Sequence, residues 1–124
     1  MAAINVRPQM TSTTTASLAT ATTADHPYTV PAGKRWLFDV IELEADTQHA
    51  NLDVDIQFGP GGAGYANIWP QEDDFRKVAV HLASKYPRAP EAEAGDVIRV
   101  HWNNTSGSTI TNCISRLFYI ERDI

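Results

Sequence analysis

The sequence predicts an all-β chain: an antiparallel β-sandwich of about eight strands, jelly-roll-like in layout. Three observations carry this. Residues 52–58 alternate strictly, with Leu52, Val54, Ile56 and Phe58 on one side and Asp53, Asp55 and Gln57 on the other, the period-two pattern of a half-buried strand. A proline-glycine turn, Val30-Pro31-Ala32-Gly33, launches the apolar run from Lys34 to Glu44, and a similar device returns where Ala94-Gly95-Asp96 launches Val97-Ile98-Arg99-Val100-His101-Trp102. The other connections are long and marked by glycine and proline, and no stretch carries a convincing helical period. With Cys113 as the only cysteine, the cysteine-tryptophan-cysteine signature of an immunoglobulin domain is missing, which favours the jelly roll.

The chain opens with residues 1–10, weakly periodic and containing Arg7-Pro8, which read as an extended arm. Residues 11–23 are crowded with threonine, whose branched Cβ favours extended backbone, and read as one edge strand. Residues 1–24 are therefore expected to form an N-terminal arm or edge strand that docks on a neighbour, with Arg7 and Leu18 as its candidate contacts. Residues 25–124 are expected to form the sandwich domain. Asp25-His26-Pro27 reads as a turn and Tyr28-Thr29-Val30 as a short strand. In the next unit Trp36, Phe38 and Val40 fall on one face and Leu37, Ile41 and Leu43 on the other, so both faces are apolar near its start, as in a central strand.

Residues 45–51 read as a polar connection. After the alternating strand, Gly59-Pro60-Gly61-Gly62-Ala63-Gly64 has the backbone freedom of a tight or wandering loop. It lacks the lysine-serine or lysine-threonine ending of a phosphate-binding loop and no helix pattern follows, so phosphate binding is set aside. Residues 65–69 read as a short strand closed by Pro70, and Gln71-Glu72-Asp73-Asp74 as an acidic loop. Residues 75–83 resume extended structure with Val78, Val80 and Leu82 on one face, a short helix being the competing reading. Residues 84–94 contain Pro87 and Pro90 and are no central strand. Residues 103–108 read as a hairpin connection. The last strand, residues 109–121, puts Ile110, Asn112, Ile114, Arg116, Phe118 and Ile120 on one side and Thr111, Cys113, Ser115, Leu117 and Tyr119 on the other.

A chain of 124 residues is most economically one domain, long enough for a core without disulfides or a structural metal. Its net charge of -5 opposes a nucleic-acid partner. No run approaches the roughly 18 apolar residues of a spanning helix, and with no secretory segment the chain is expected to be made in a cytosol and to stay out of membranes.

The residues capable of chemistry do not form a recognisable constellation. His26, His49, His81 and His101 are isolated, with no His-x-His pair, and read as loop or surface residues. Only His81 and His101 lie in expected strands, and they meet only if those strands are neighbours. Asp53 and Asp55 read as a solvated face, not an acid-base pair. Glu72, Asp73 and Asp74 lack the spacing of a calcium loop. Cys113 and Ser115 lack a nucleophile's context. No catalytic residue, metal or cofactor is expected, and the chain reads as non-enzymatic. Trp36 and Trp102 read as core. Trp69, beside Pro70, and Tyr65 read as candidate exposed contacts. Two overlapping glycosylation sequons in Asn103-Asn104-Thr105-Ser106 are set aside for want of a secretory signal.

Tyr28-Thr29-Val30-Pro31-Ala32-Gly33-Lys34-Arg35-Trp36, with its echo Ala94-Gly95-Asp96-Val97-Ile98-Arg99-Val100, resembles small β-sandwich structural proteins of tailed-bacteriophage virions. These include capsid decoration proteins, head fibres and tail accessories, many of them homotrimers. The resemblance runs from Tyr28 to the C-terminus and implies a capsid decoration or head accessory protein that stabilises the shell through oligomeric contacts. It further implies the major capsid protein or other virion proteins as partners, a homotrimer, and residence in the virion after synthesis in the host cytoplasm. The alternative is a carbohydrate- or receptor-binding module of a tail or fibre, using Tyr65, Trp69 and the glycine loop.

Overall fold

Ten stretches of the chain are extended and paired in the computed structural model, which describes residues 6–46, 51–82 and 91–124; His49, Pro87 and Pro90 lie outside these. The strands are β1 (Val6–Leu18), β2 (Thr22–Thr29), β3 (Lys34–Glu44), β4 (Leu52–Gly59), β5 (Ala66–Asn67), β6 (Glu72–Asp73), β7 (Lys77–His81), β8 (Glu91–Ala92), β9 (Val97–Asn104) and β10 (Ile110–Asp123). Their pairing is nested: β1 with β10, β2 with β9, β3 with β7 and β8, β4 with β5 and β6, all antiparallel. A chain paired first to last in this way and wound into two layers is a jelly roll. The first sheet runs β1-β10-β3-β7 and the second β2-β9-β4-β5. The count of ten exceeds the expected eight by β6 and β8, two-residue ladders in stretches that read as connections. Of residues 65–69 only Ala66–Asn67 pair as strand, while residues 75–83 contain the five-residue β7.

The two turn-strand units lie side by side. Val30 N–H donates to the Asp96 carbonyl at 3.0 Å and Gly95 N–H to the Val30 carbonyl at 2.9 Å, so one turn fastens the other. Gly33 and Gly95 both take left-handed φ, 77° and 91°, which is why glycine follows the turn in each unit.

Asp25-His26-Pro27 is not a turn. It continues β2, with Pro27 opposite Arg99, and the chain reverses instead at residues 19–21, where Ala21 has φ 59°. β2 is an edge strand, the place in a sheet that tolerates a residue without an N–H. The N-terminal segment is likewise paired from Val6 opposite Arg122 to Leu18 opposite Ile110.

Two irregularities reset side-chain parity. In β3, Val40 faces Phe118 and Phe38 faces Tyr119, so Asp39 is an extra residue, a bulge. Trp36 and Phe38 point inward before it, and Ile41 and Leu43 after it. The apolar residues that strict alternation splits between two faces thus share one core face. In β10, Asn112 at φ 54° lets both Ile110 and Cys113 be buried despite their odd spacing. The core between the sheets is built on Phe38, Ile41, Leu43, Leu52, Ile56, Ile98, Trp102, Ile110 and Leu117.

Candidate interaction surface

The outward side chains of the first sheet divide into an apolar end and a charged end. Register places Pro8, Ile120 and Leu37 in one cross-strand row and Met10, Phe118 and Val40 in the next, with Val6, Arg122 and Arg35 completing the apolar end. Val6 is 61% exposed, Met10 53%, Ile120 37% and Leu37 36%, so these apolar groups face water together on three adjoining strands. Among them opens a cavity of about 330 Å³ lined by Val6, Arg35, Leu37, Glu91, Ile120 and Arg122. Arg122 is held by Glu91, its Nη2 2.6 Å from Oε1. Arg35 Nε is buried without an acceptor among the described residues. At the other end Arg116 spans Glu42 and Glu44 at 2.9 and 2.8 Å, and its hydrogen bond holds the Glu44 carboxyl below the ordinary range.

The outer face of the second sheet is polar throughout its centre. Asp25, His101 and Asp55 form one cross-strand row, with His101 Nδ1 2.6 Å from Asp25 Oδ1. His81 and His101 do not meet, because β7 and β9 belong to different sheets. Among the described residues no three His, Cys, Asp or Glu side chains converge as a metal site would require. The glycine loop is bound from within: Gly61 N–H donates to Asp96 Oδ1 at 2.9 Å. Asp74 Oδ1 likewise accepts the Asn51 N–H at 2.8 Å.

Between the sheets lies a buried polar network, and it overturns the surface placement of His26, which is 1% exposed. His26 Nε2 is 2.7 Å from Thr15 Oγ1, His26 Nδ1 is 2.7 Å from Ser115 Oγ, and the Tyr28 hydroxyl is 2.6 Å from the same Ser115 Oγ. A serine beside an imidazole suggests a nucleophile, but Ser115 is fully buried between the sheets. Burial pushes the Cys113 thiol up to about 11, with Asp46 adding to the rise, so at neutral pH it is a packed thiol and not a thiolate. Asn104 is also buried, donating to the carbonyls of Leu18 and Ser108 at 3.0 and 2.9 Å, and serves as a brace for the loop that follows it.

Of the residues expected to make contacts, Arg7 lies on the inward side of β1 and is half-buried, its Nη2 2.6 Å from Glu121 Oε1. Leu18 is in the core at 3% exposure and has no surface to offer a neighbour, because the alternation of β1 breaks at Ala16 and Ser17, both exposed, and leaves Leu18 buried opposite Ile110. One face of the Tyr65 ring is covered by the Arg99 guanidinium, 3.5 Å from the centroid, and a Cβ at Gly59 would stand 2.7 Å from that ring. Trp69 is half-buried and packs on the core. Pattern reading missed Leu37 and Ile120 as contacts. Alternation grouped Leu37 with Ile41 and Leu43, and parity cannot be assigned across an unseen bulge.

Comparison with protein-family models, with curated proteins and with solved structures gives no match to this chain.

Proposed function

We propose that this protein is a structural subunit that works by binding other protein subunits, and that its setting is the shell of a tailed-phage virion, as a capsid decoration or head accessory protein. The observation that carries the binding role is the outer face of the first sheet, where Val6, Met10, Leu37 and Ile120 gather round the cavity that holds Arg35. Burying such a patch against a partner removes apolar area from water at about 25 cal/mol per Å² and supplies an acceptor to the Arg35 donor. The virion setting is supported by the sequence resemblance of the two turn-strand units, which the fold sets side by side. The shell is the fitting partner because many copies of a small sandwich bound through one face stabilise an assembled lattice by mass action.

Immunogold labelling of particles purified from lysed host cultures tests this reading. Gold on the heads is the expected result. Labelling confined to tails overturns the shell placement, and particles without label overturn the virion setting. Added back to stripped heads, the Leu37→Glu/Ile120→Glu variant is expected to lose binding while keeping its fold.

A further inference from the structure

We infer that the free edge of β1 is a strand-addition site, and that its occupant is β1 of a second copy of this chain, paired antiparallel about a two-fold axis. The edges of the two sheets are not alike. Exposed edges present unpaired N–H and C=O groups, and proteins blunt them with charge, proline or brevity. Among the described residues the other edges follow this rule. β2 carries Asp25 and Pro27, β7 has five residues beginning with Lys77, and β5 and β6 have two residues each. β1 has thirteen residues, ends the first sheet with β10 as its one strand partner among the described residues, and from Gln9 to Leu18 contains no charge, no proline and no glycine.

The composition of that edge selects the occupant. In a two-fold antiparallel pair each residue meets a residue of the same strand, so a charged edge would meet its own charge. Here Thr11, Ser12, Thr13, Thr14 and Thr15 meet one another: centred on Thr13, residue 11 faces 15 and residue 12 faces 14. Cross-strand hydroxyl pairs of this kind are favourable, and like charges in their place are not. The axis stands perpendicular to the sheet, so both copies turn their outer faces the same way and the two apolar ends belong to one continuous surface made of two five-stranded sheets. This deepens the proposed function by naming a self-contact within the assembly, and a two-fold contact builds dimers where the resemblance to virion proteins implies trimers.

The test is sedimentation velocity over about a hundredfold range of concentration, on the full chain and on the Ser12→Lys/Thr14→Lys variant. Both side chains point outward and are exposed, so the variant is expected to keep the parent's circular dichroism and melting temperature. The expected result is a concentration-dependent dimer whose dissociation constant rises at least about tenfold in the variant. Amide exchange at alternate residues of β1 should slow as the parent dimerises. A monomer at every concentration, a trimer, or a dimer indifferent to the lysines overturns the inference. Leu37→Glu should leave this dimer intact, so loss of shell binding and loss of edge pairing are read separately.

Discussion

His26 Nδ1 lies 2.7 Å from Ser115 Oγ at the centre of the sandwich, and this pair ties the second sheet to the first. The proton positions follow from the neighbours. Trp102 Nε1, which can only donate, reaches His26 Nδ1 at 3.2 Å, so Nδ1 is an acceptor and Nε2 carries the proton, donating to Thr15 Oγ1. Ser115 then donates to His26 and accepts from Tyr28, whose ring lies beside it on β2. Four strands, β1, β2, β9 and β10, meet in this one network.

Stability should fall in mild acid because of His26. Burial holds its imidazole below the ordinary value of 6.5, the charge of Asp25 opposing that shift. The unfolded chain takes up a proton near 6.5, whereas the folded one does so only at lower pH. Between those values the unfolded state binds the extra proton, so His26's contribution is full above 6.5 and is lost as pH falls through it towards the folded value. Urea midpoints measured from about pH 8 to about pH 5.5 should decline, and His26→Gln should flatten the decline. An unchanged slope in that variant would place the acid sensitivity elsewhere.

Ser115→Ala should destabilise the fold by about 1 to 2 kcal/mol, since it removes the hydroxyl between two buried partners. Tyr28 keeps the residue-115 carbonyl at 3.0 Å and His26 Nδ1 keeps Trp102, so neither is left bare. Chemical denaturation of Ser115→Ala, Thr15→Val and the double variant should show coupling through His26. Additive losses would mean that the network acts as separate bonds.

Deleting Asp39 should cost far more than replacing it. Asp39→Ala keeps the bulge and is expected to change stability by no more than about 0.5 kcal/mol. Deletion slips one side of β3 by a residue and turns either Trp36 and Phe38 or Ile41 and Leu43 to water, a loss beyond about 4 kcal/mol that leaves no cooperative melt. A deletion variant with a normal melting curve would remove the parity argument for β3.

Arg7→Ala should be mildly destabilising, by about 1 kcal/mol, discounted for the partial exposure of Arg7. The Glu121 carboxylate accepts from Arg7 Nη2 at 2.6 Å and from Trp36 Nε1 at 2.8 Å, and is only 12% exposed. Losing Arg7 leaves that charge with the indole alone. The loss should shrink as salt rises, read by thermal melts in low and high salt. A loss that is independent of salt would assign the effect to packing of the arginine stem.

Much of the fold was legible residue by residue. β4 buries Leu52, Val54 and Ile56 and turns Asp53, Asp55 and Gln57 outward, as its alternation predicts, and Trp36 and Trp102 are core. The candidate surface was legible only in part. Leu37 was visible as an apolar residue, but without the bulge at Asp39 it belonged with Ile41 and Leu43, and that grouping hid its exposure. His26 was hidden for a related reason: a proline beside it signals a turn unless the strand is known to lie at an edge.

The sequence by itself determined which of the longer stretches extend, residues 25–27 of β2 excepted, and that they pack as two layers, because alternation and turn chemistry act over a few neighbouring residues. Only the tertiary structure decided which apolar side chains face water, that an imidazole sits at the centre, and that β1, free of charge from Gln9 to Leu18, is the long edge strand among the described residues. Those outcomes depend on which strand lies beside which and on a one-residue bulge that reverses sides, and neither is encoded within a single strand's own pattern.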